Sequence, residues 1–194
     1  MRKRWTLYGI LLLVVLALSA CGKNTSDSGM SDMESMESMN HSGSGEVPAG
    51  LKKAEHPAFP EGSRAIIKAE HMEGMNGAKA TIVGAYSTTA YVVSYTPTTG
   101  GKRVTGHKWV IHEEIKDAGD KPFQPGDEVV LQADHMEGMD GAKATIDSAE
   151  QTTVYMVDYM PTTGGEMVKN HKWVTESELS NESDAAGGGK MSGM

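Results

Sequence analysis

The chain has 194 residues, with 18 basic and 26 acidic side chains, a formal net charge of −8 and one cysteine. So acidic a balance argues against a nucleic-acid partner, because such binding is mostly phosphate neutralisation by Lys and Arg. A single cysteine excludes an intrachain disulfide framework and a CxxC redox pair.

The chain opens "MRKRWTLYGILLLVVLALSAC". Arg2, Lys3 and Arg4 precede an apolar run from Leu7 to Leu18. As a helix that run is about 18 Å long, short of the roughly 30 Å needed to span a bilayer core. An export signal over 1–20 is therefore predicted. Its end, "LSAC", is similar to the lipobox of bacterial lipoproteins, with Cys21 as the acceptor of lipid chains that anchor the protein to the membrane. Removing residues 1–20 leaves 18 − 3 = 15 basic residues against 26 acidic ones, a net −11.

Residues 21–59 read as a disordered, lipidated tether, because from Gly22 to Gly50 the chain is mainly Ser, Gly, Met, Asp, Glu and Asn. Too little apolar surface is present to offset the entropy of ordering. The tether carries Met30, Met33, Met36 and Met39 in an MxxM series, followed by His41. The tail from 180 to 194 reads the same way.

Between these ends lies a duplication. Residues 62–115 and 126–179 align without a gap at an offset of 64, and 30 of the 54 positions are identical. Such a period suits two small domains, here 60–116 and 124–179, better than a solenoid. "GDEVVLQA" alternates Val129, Leu131 and Ala133 against polar neighbours. "AKATI" puts Ala142, Ala144 and Ile146 on one face. "TVYMVDYM" presents Tyr155, Val157 and Tyr159, as Tyr91, Val93 and Tyr95 are presented in the first copy. "HKWV" reads as a last strand carrying Trp109 or Trp173. Four or five short strands without a helical period predict an all-β fold: two tandem small SH3-like β-barrels after the tether.

The string "HMEGMNGAKATI" from His71 recurs as "HMEGMDGAKATI" from His135. Asn76–Gly77 and Asp140–Gly141 predict type I′ hairpin turns with positive φ at both residues. Gly74 and Gly138 predict a further bend, and the exchange of Gly106 for Asn170 predicts a left-handed position. The turns leave His71, Met72 and Met75, and likewise His135, Met136 and Met139, open to another role. Thioether and imidazole ligands together suit Cu(I). His107 and His171 in "HKW" are further candidates, as are Met30, Met33, Met36, Met39 and His41. The residue set is similar to that of small periplasmic copper chaperones, which hold Cu(I) with a His and two Met beneath a Trp. No HExxH, P-loop or GxSxG motif is present, so catalysis is not expected.

The two long strings, with "NHKWVTESEL" at the end of the second copy, resemble the YdhK-like lipoproteins of Gram-positive bacteria, from about Pro60 to Leu179. The first copy departs with "GHKWVIHEEI". The resemblance implies a lipid-anchored protein at the extracytoplasmic face of the cell membrane, and a duplicated domain without an assigned activity. Two functions follow as expectations. One is a copper-binding lipoprotein working with a copper-handling partner. The other is an envelope module that grips wall peptide or a protein through exposed Tyr86, Tyr91 or Trp109.

Overall fold

The computed structural model describes residues 42–183. Cys21, Met30, Met33, Met36, Met39 and His41 lie outside the described residues. The fold is all-β, as expected. The strands are β1 Lys52–Lys53, β2 Arg64–Ile67, β3 Lys79–Tyr95, β4 Val104–Ile111, β5 Glu128–Val130, β6 Lys143–Tyr159, β7 Val168–Thr175 and β8 Leu179–Ser180. Short 3-10 turns at His112–Glu114 and Glu176–Glu178 follow β4 and β7.

Two expected short strands in each repeat are one strand of 17 residues, β3 or β6. The stretch joining them, "VGAYSTT" or "DSAEQTT", holds no proline and no turn dipeptide. The first of these is also rich in residues that suit a pleated strand, and both end in a Thr pair. At about 3.3 Å per residue such a strand runs roughly 55 Å, more than one small barrel can use. β3 and β6 pair antiparallel along their whole length, from Ala80↔Tyr159 to Tyr95↔Ala144. Thr88 faces Thr152 in this register, and 152 − 88 = 64 is the repeat offset, so the pseudo-twofold axis passes through that pair.

The consequence is an exchange of halves. One core joins Ala65, Ile67, Ala80 and Ile82 of the first repeat to Tyr155, Val157 and Tyr159 of the second. The other joins Tyr91, Val93 and Tyr95 of the first to Leu131, Ala144 and Ile146 of the second. Burying each Ile or Val side chain here contributes about 1.5–3 kcal/mol. The faces read from strand alternation are therefore the buried ones, but each packs against the other repeat. A barrel closed by each repeat on itself is not what forms: eight strands make one open sheet, ordered β5-β6-β3-β2-β8, with β1 and β4 also on β3 and β7 on β6. A third cluster gathers Tyr86, Trp109, Val154, Met156 and Trp173.

The tether boundary also moves. Residues 42–59, expected within a disordered segment, belong to the fold. Lys52 and Lys53 pair with Ser87 and Tyr86, and Phe59 packs edge-on against Tyr155 with ring centroids 5.9 Å apart. Near Ser42 the backbone joins β7, where Gly43 N–H donates to the Lys169 carbonyl at 2.8 Å. The physical reason is that Leu51 and Phe59 are apolar anchors in an otherwise polar stretch, and both find core to cover. At the other end Ser180, expected in the tail, pairs with Ile66.

Candidate functional site

The string "HMEGMNGA" forms two consecutive turns. Met75 N–H donates to the Met72 carbonyl (3.3 Å) and Ala78 N–H to the Met75 carbonyl (3.1 Å). Gly74 (φ 73°) and Gly77 (φ 80°) take the third positions, the geometry of type II turns. Asn76 and Asp140 do not have positive φ, so the expected type I′ hairpin is corrected: only the glycines need the left-handed region. Gly74 is doubly constrained, since a Cβ there would lie 2.6 Å from Thr163 Oγ1. Its carbonyl accepts the Thr162 N–H at 2.8 Å. Each bend thus seats on the "PTT" turn of the other repeat, as Gly138 does on Thr98. The left-handed position expected at Gly106 and Asn170 is present, with φ of 64° and 52°.

The bends separate the candidate ligands. Met75 and Met139 are fully buried, one in each core. Met72 is half-buried against the first core, while Met136 is 38% exposed. His71 and Met72 line an open depression of about 420 Å³ with Glu70, Glu73, Asn76 and Thr162. The Asn76 amide donates to Glu70 Oε1 across it at 2.8 Å.

Each histidine of the bends is held by a carboxylate from the opposite repeat. His71 Nε2 lies 2.7 Å from Glu178 Oε1. Glu178 Oε2 accepts the Trp109 indole N–H at 2.8 Å, the Thr175 N–H at 3.0 Å and the Thr175 hydroxyl at 3.1 Å. His135 Nε2 lies 2.8 Å from Glu114 Oε1. The Trp173 indole N–H reaches both Glu114 oxygens at 3.1 Å, and Ile111 N–H donates to Oε2 at 3.2 Å. The 3-10 turns make this possible, because a Glu at the third turn position folds back on the N–H preceding the turn. Burial pushes the Glu178 carboxyl up. The His71 hydrogen bond and charge, with donation from Thr175 and Trp109, outweigh that and hold it near 2.

His71 Nδ1 and His107 Nε2 are buried and make no hydrogen bond. His107, a further candidate ligand, packs edge-on against Tyr95 at 5.9 Å and lies beside the His135 ring at 6.3 Å. Burial first, then the neighbouring His135 and His71 charges, lower the His107 pKa to about 4, against a smaller opposing pull from Glu114. His171 packs edge-on against Tyr159 at 5.7 Å. Among the described residues no three His, Cys, Asp or Glu side chains converge on a common point fit for a metal ion. Tyr86, Tyr91 and Trp109, expected as exposed contacts of an envelope module, are 8%, 0% and 7% exposed. Their rings are spent on the cores.

Glu114 and Glu178 were not singled out from the sequence. A signal existed, for Glu holds the same place in both copies although the surrounding "IHEEI" and "TESEL" otherwise share nothing.

A duplicated all-β domain with this reciprocal arrangement belongs to a recognised class. The chain is a member of the DUF1541 family, described as proteins of unknown function, whose pattern matches twice, over residues 61–112 and 125–176. It is 63% identical over 178 residues to the uncharacterized protein YdhK of Bacillus subtilis (strain 168), covering 89% of this chain and 87% of that one. A crystal structure of the B. subtilis YdhK protein superimposes with a TM-score of 0.72 at 67% identity, over 74% of this chain and 97% of the other. A solution NMR structure of the YdhK C-terminal domain gives 0.61 at 70% identity, over 64% and 94%.

Proposed function

We propose that the protein is a non-enzymatic lipoprotein, anchored through Cys21 on the extracytoplasmic face of the membrane, that binds a soft cation such as Cu(I) as cargo. His71 and Met72 serve the first bend, His135 and Met136 the second. The observation that carries this reading is the His71 imidazole: one nitrogen is tied to a carboxylate, and the other is buried without a partner. A carboxylate on the far side of the ring is the usual outer-shell support of a metal-binding histidine, and a neighbouring thioether suits Cu(I). Met75 and Met139 act beneath the bends as packing. The tether series from Met30 to His41 adds a second supply of soft ligands, suited to passing cargo to a copper-handling partner.

The test is titration of the lipid-free chain, residues 22–194, with Cu(I) under reducing conditions against a competing chelator. Met72→Leu lowers affinity at one folded site, whereas Met75→Leu alters stability alone. A chain that binds no Cu(I) in competition with a weak chelator overturns the cargo reading. The anchor is tested separately: Cys21→Ala yields uncleaved precursor or protein released from membranes, and salt-resistant retention of a cleaved form overturns it.

A further inference from the structure

The two bends carry the same residues, yet neither repeat supplies the carboxylate that holds its own histidine. We propose that Glu178 and Glu114 are positioning residues. Each fixes the Nε2–H tautomer of the histidine in the opposite repeat, and at His71 this leaves a buried, unpartnered Nδ1 lone pair for the cation. This deepens the soft-cation reading and rests on it.

An ionised carboxylate only accepts hydrogen bonds, so the nitrogen 2.7 Å from Glu178 must carry the proton. In a neutral imidazole the other nitrogen then holds a lone pair. Protonating Nδ1 as well would bury an N–H with no acceptor, since that atom has no partner. Nor is the carboxylate free to turn away. Glu178 Oε2 is held by the Trp109 indole, the Thr175 N–H and the Thr175 hydroxyl, and Glu114 is held by Trp173 and Ile111. Its angle to the imidazole is thereby set by β4 or β7 and the turn that follows. Because Glu178 lies in the second repeat and His71 in the first, each site is complete only when both repeats are interleaved.

The experiment uses the lipid-free chain labelled with ¹⁵N, as parent, Glu178→Gln, Glu114→Gln and Trp109→Phe. Long-range ¹H–¹⁵N correlation reads the imidazole tautomers without metal, and chelator competition reads Cu(I) affinity. In the parent, His71 and His135 are Nε2–H tautomers. Glu178→Gln moves His71 alone towards a mixture and weakens one Cu(I) site by about 10–100-fold, while Glu114→Gln does the same through His135. Trp109→Phe keeps the carboxylate and removes one of its donors, so it gives a smaller change at His71 and guards against a Gln variant that fails to fold. Nδ1–H or doubly protonated His71 in the parent overturns the proposal. So does a parent that binds Cu(I) with an affinity unchanged by Glu178→Gln. A parent with the expected tautomers that binds no Cu(I) overturns the cargo reading, and the positioning role falls with it.

Discussion

The two His–Glu–Trp groups are built from the same string, but they are not equally enclosed. In the group of His135, the Glu114 side chain is 3% exposed and Trp173 is 0% exposed. In the group of His71, Glu178 is 13% exposed and Trp109 is 7% exposed. The difference comes from a residue outside both strings. Tyr86 packs edge-on against Trp173 at 5.8 Å, whereas its counterpart 64 residues on is Glu150. Trp109 is covered instead by Lys108, whose ammonium lies 5.1 Å from the ring centroid and 3.9 Å from Glu178. A duplicated site can therefore diverge in dielectric without a change in any residue that touches the histidine.

The largest effect tests what both groups share. Cutting the chain near Asp120 separates halves that supply each other's cores, so neither piece gives a folded monomer. Circular dichroism and sedimentation should show an unfolded chain or a self-associated one, and a folded monomeric fragment breaks the interleaved description.

A smaller effect separates the two groups. Glu114→Gln places its amide in a more enclosed position, against a more deeply buried indole, than Glu178→Gln does. We expect it to cost about 2–3 kcal/mol against about 1–2 kcal/mol for Glu178→Gln, read from urea unfolding. Equal costs would mean that the difference in enclosure has no energetic weight.

The pH dependence separates them along another axis. Glu178 has a folded pKa near 2, below its ordinary value of 4.5. Its contribution is therefore present above pH 4.5 and is lost as pH falls towards 2. His107, against His135, has its pKa lowered from 6.5 to about 4. Between those values the unfolded chain takes up a proton that the folded chain does not, so stability falls as pH drops through this window. The fall is on the order of 3 kcal/mol, and His107→Gln should remove most of it while leaving the loss below pH 4.5.

The smallest effect repairs the asymmetry. Glu150→Tyr offers Trp109 the aromatic edge that Tyr86 gives Trp173, worth about 0.5–1.5 kcal/mol. The Trp109 indole resonance should move towards that of Trp173, and an unmoved resonance would assign the difference to Lys108 instead.

Much of the fold was legible. Alternation in "AKATI" and "TVYMVDYM" named the buried faces, and glycine placement named the bends. The exchange of halves was not legible, for a physical reason. Both repeats present the same apolar faces, so pairing Tyr159 with its own Ala144 or with Ala80 looks identical in sequence. Only the missing turn between "AKATI" and the tyrosine strand pointed to one long strand. At the site, the histidines stood out because they sit beside an unusual pair of methionines. Their carboxylate partners lie far off in the chain, Glu114 21 residues before His135 and Glu178 107 residues after His71, and no local spacing rule links such positions.

The self-pairing of Thr88 with Thr152 has a consequence for dilution. Two separate one-repeat chains arranged about that axis would assemble only above some threshold of abundance. Here the segment from Lys116 to Gln124 keeps the halves in one molecule, so the second always meets the first at a fixed effective concentration. The interleaved form then persists at any dilution of the protein.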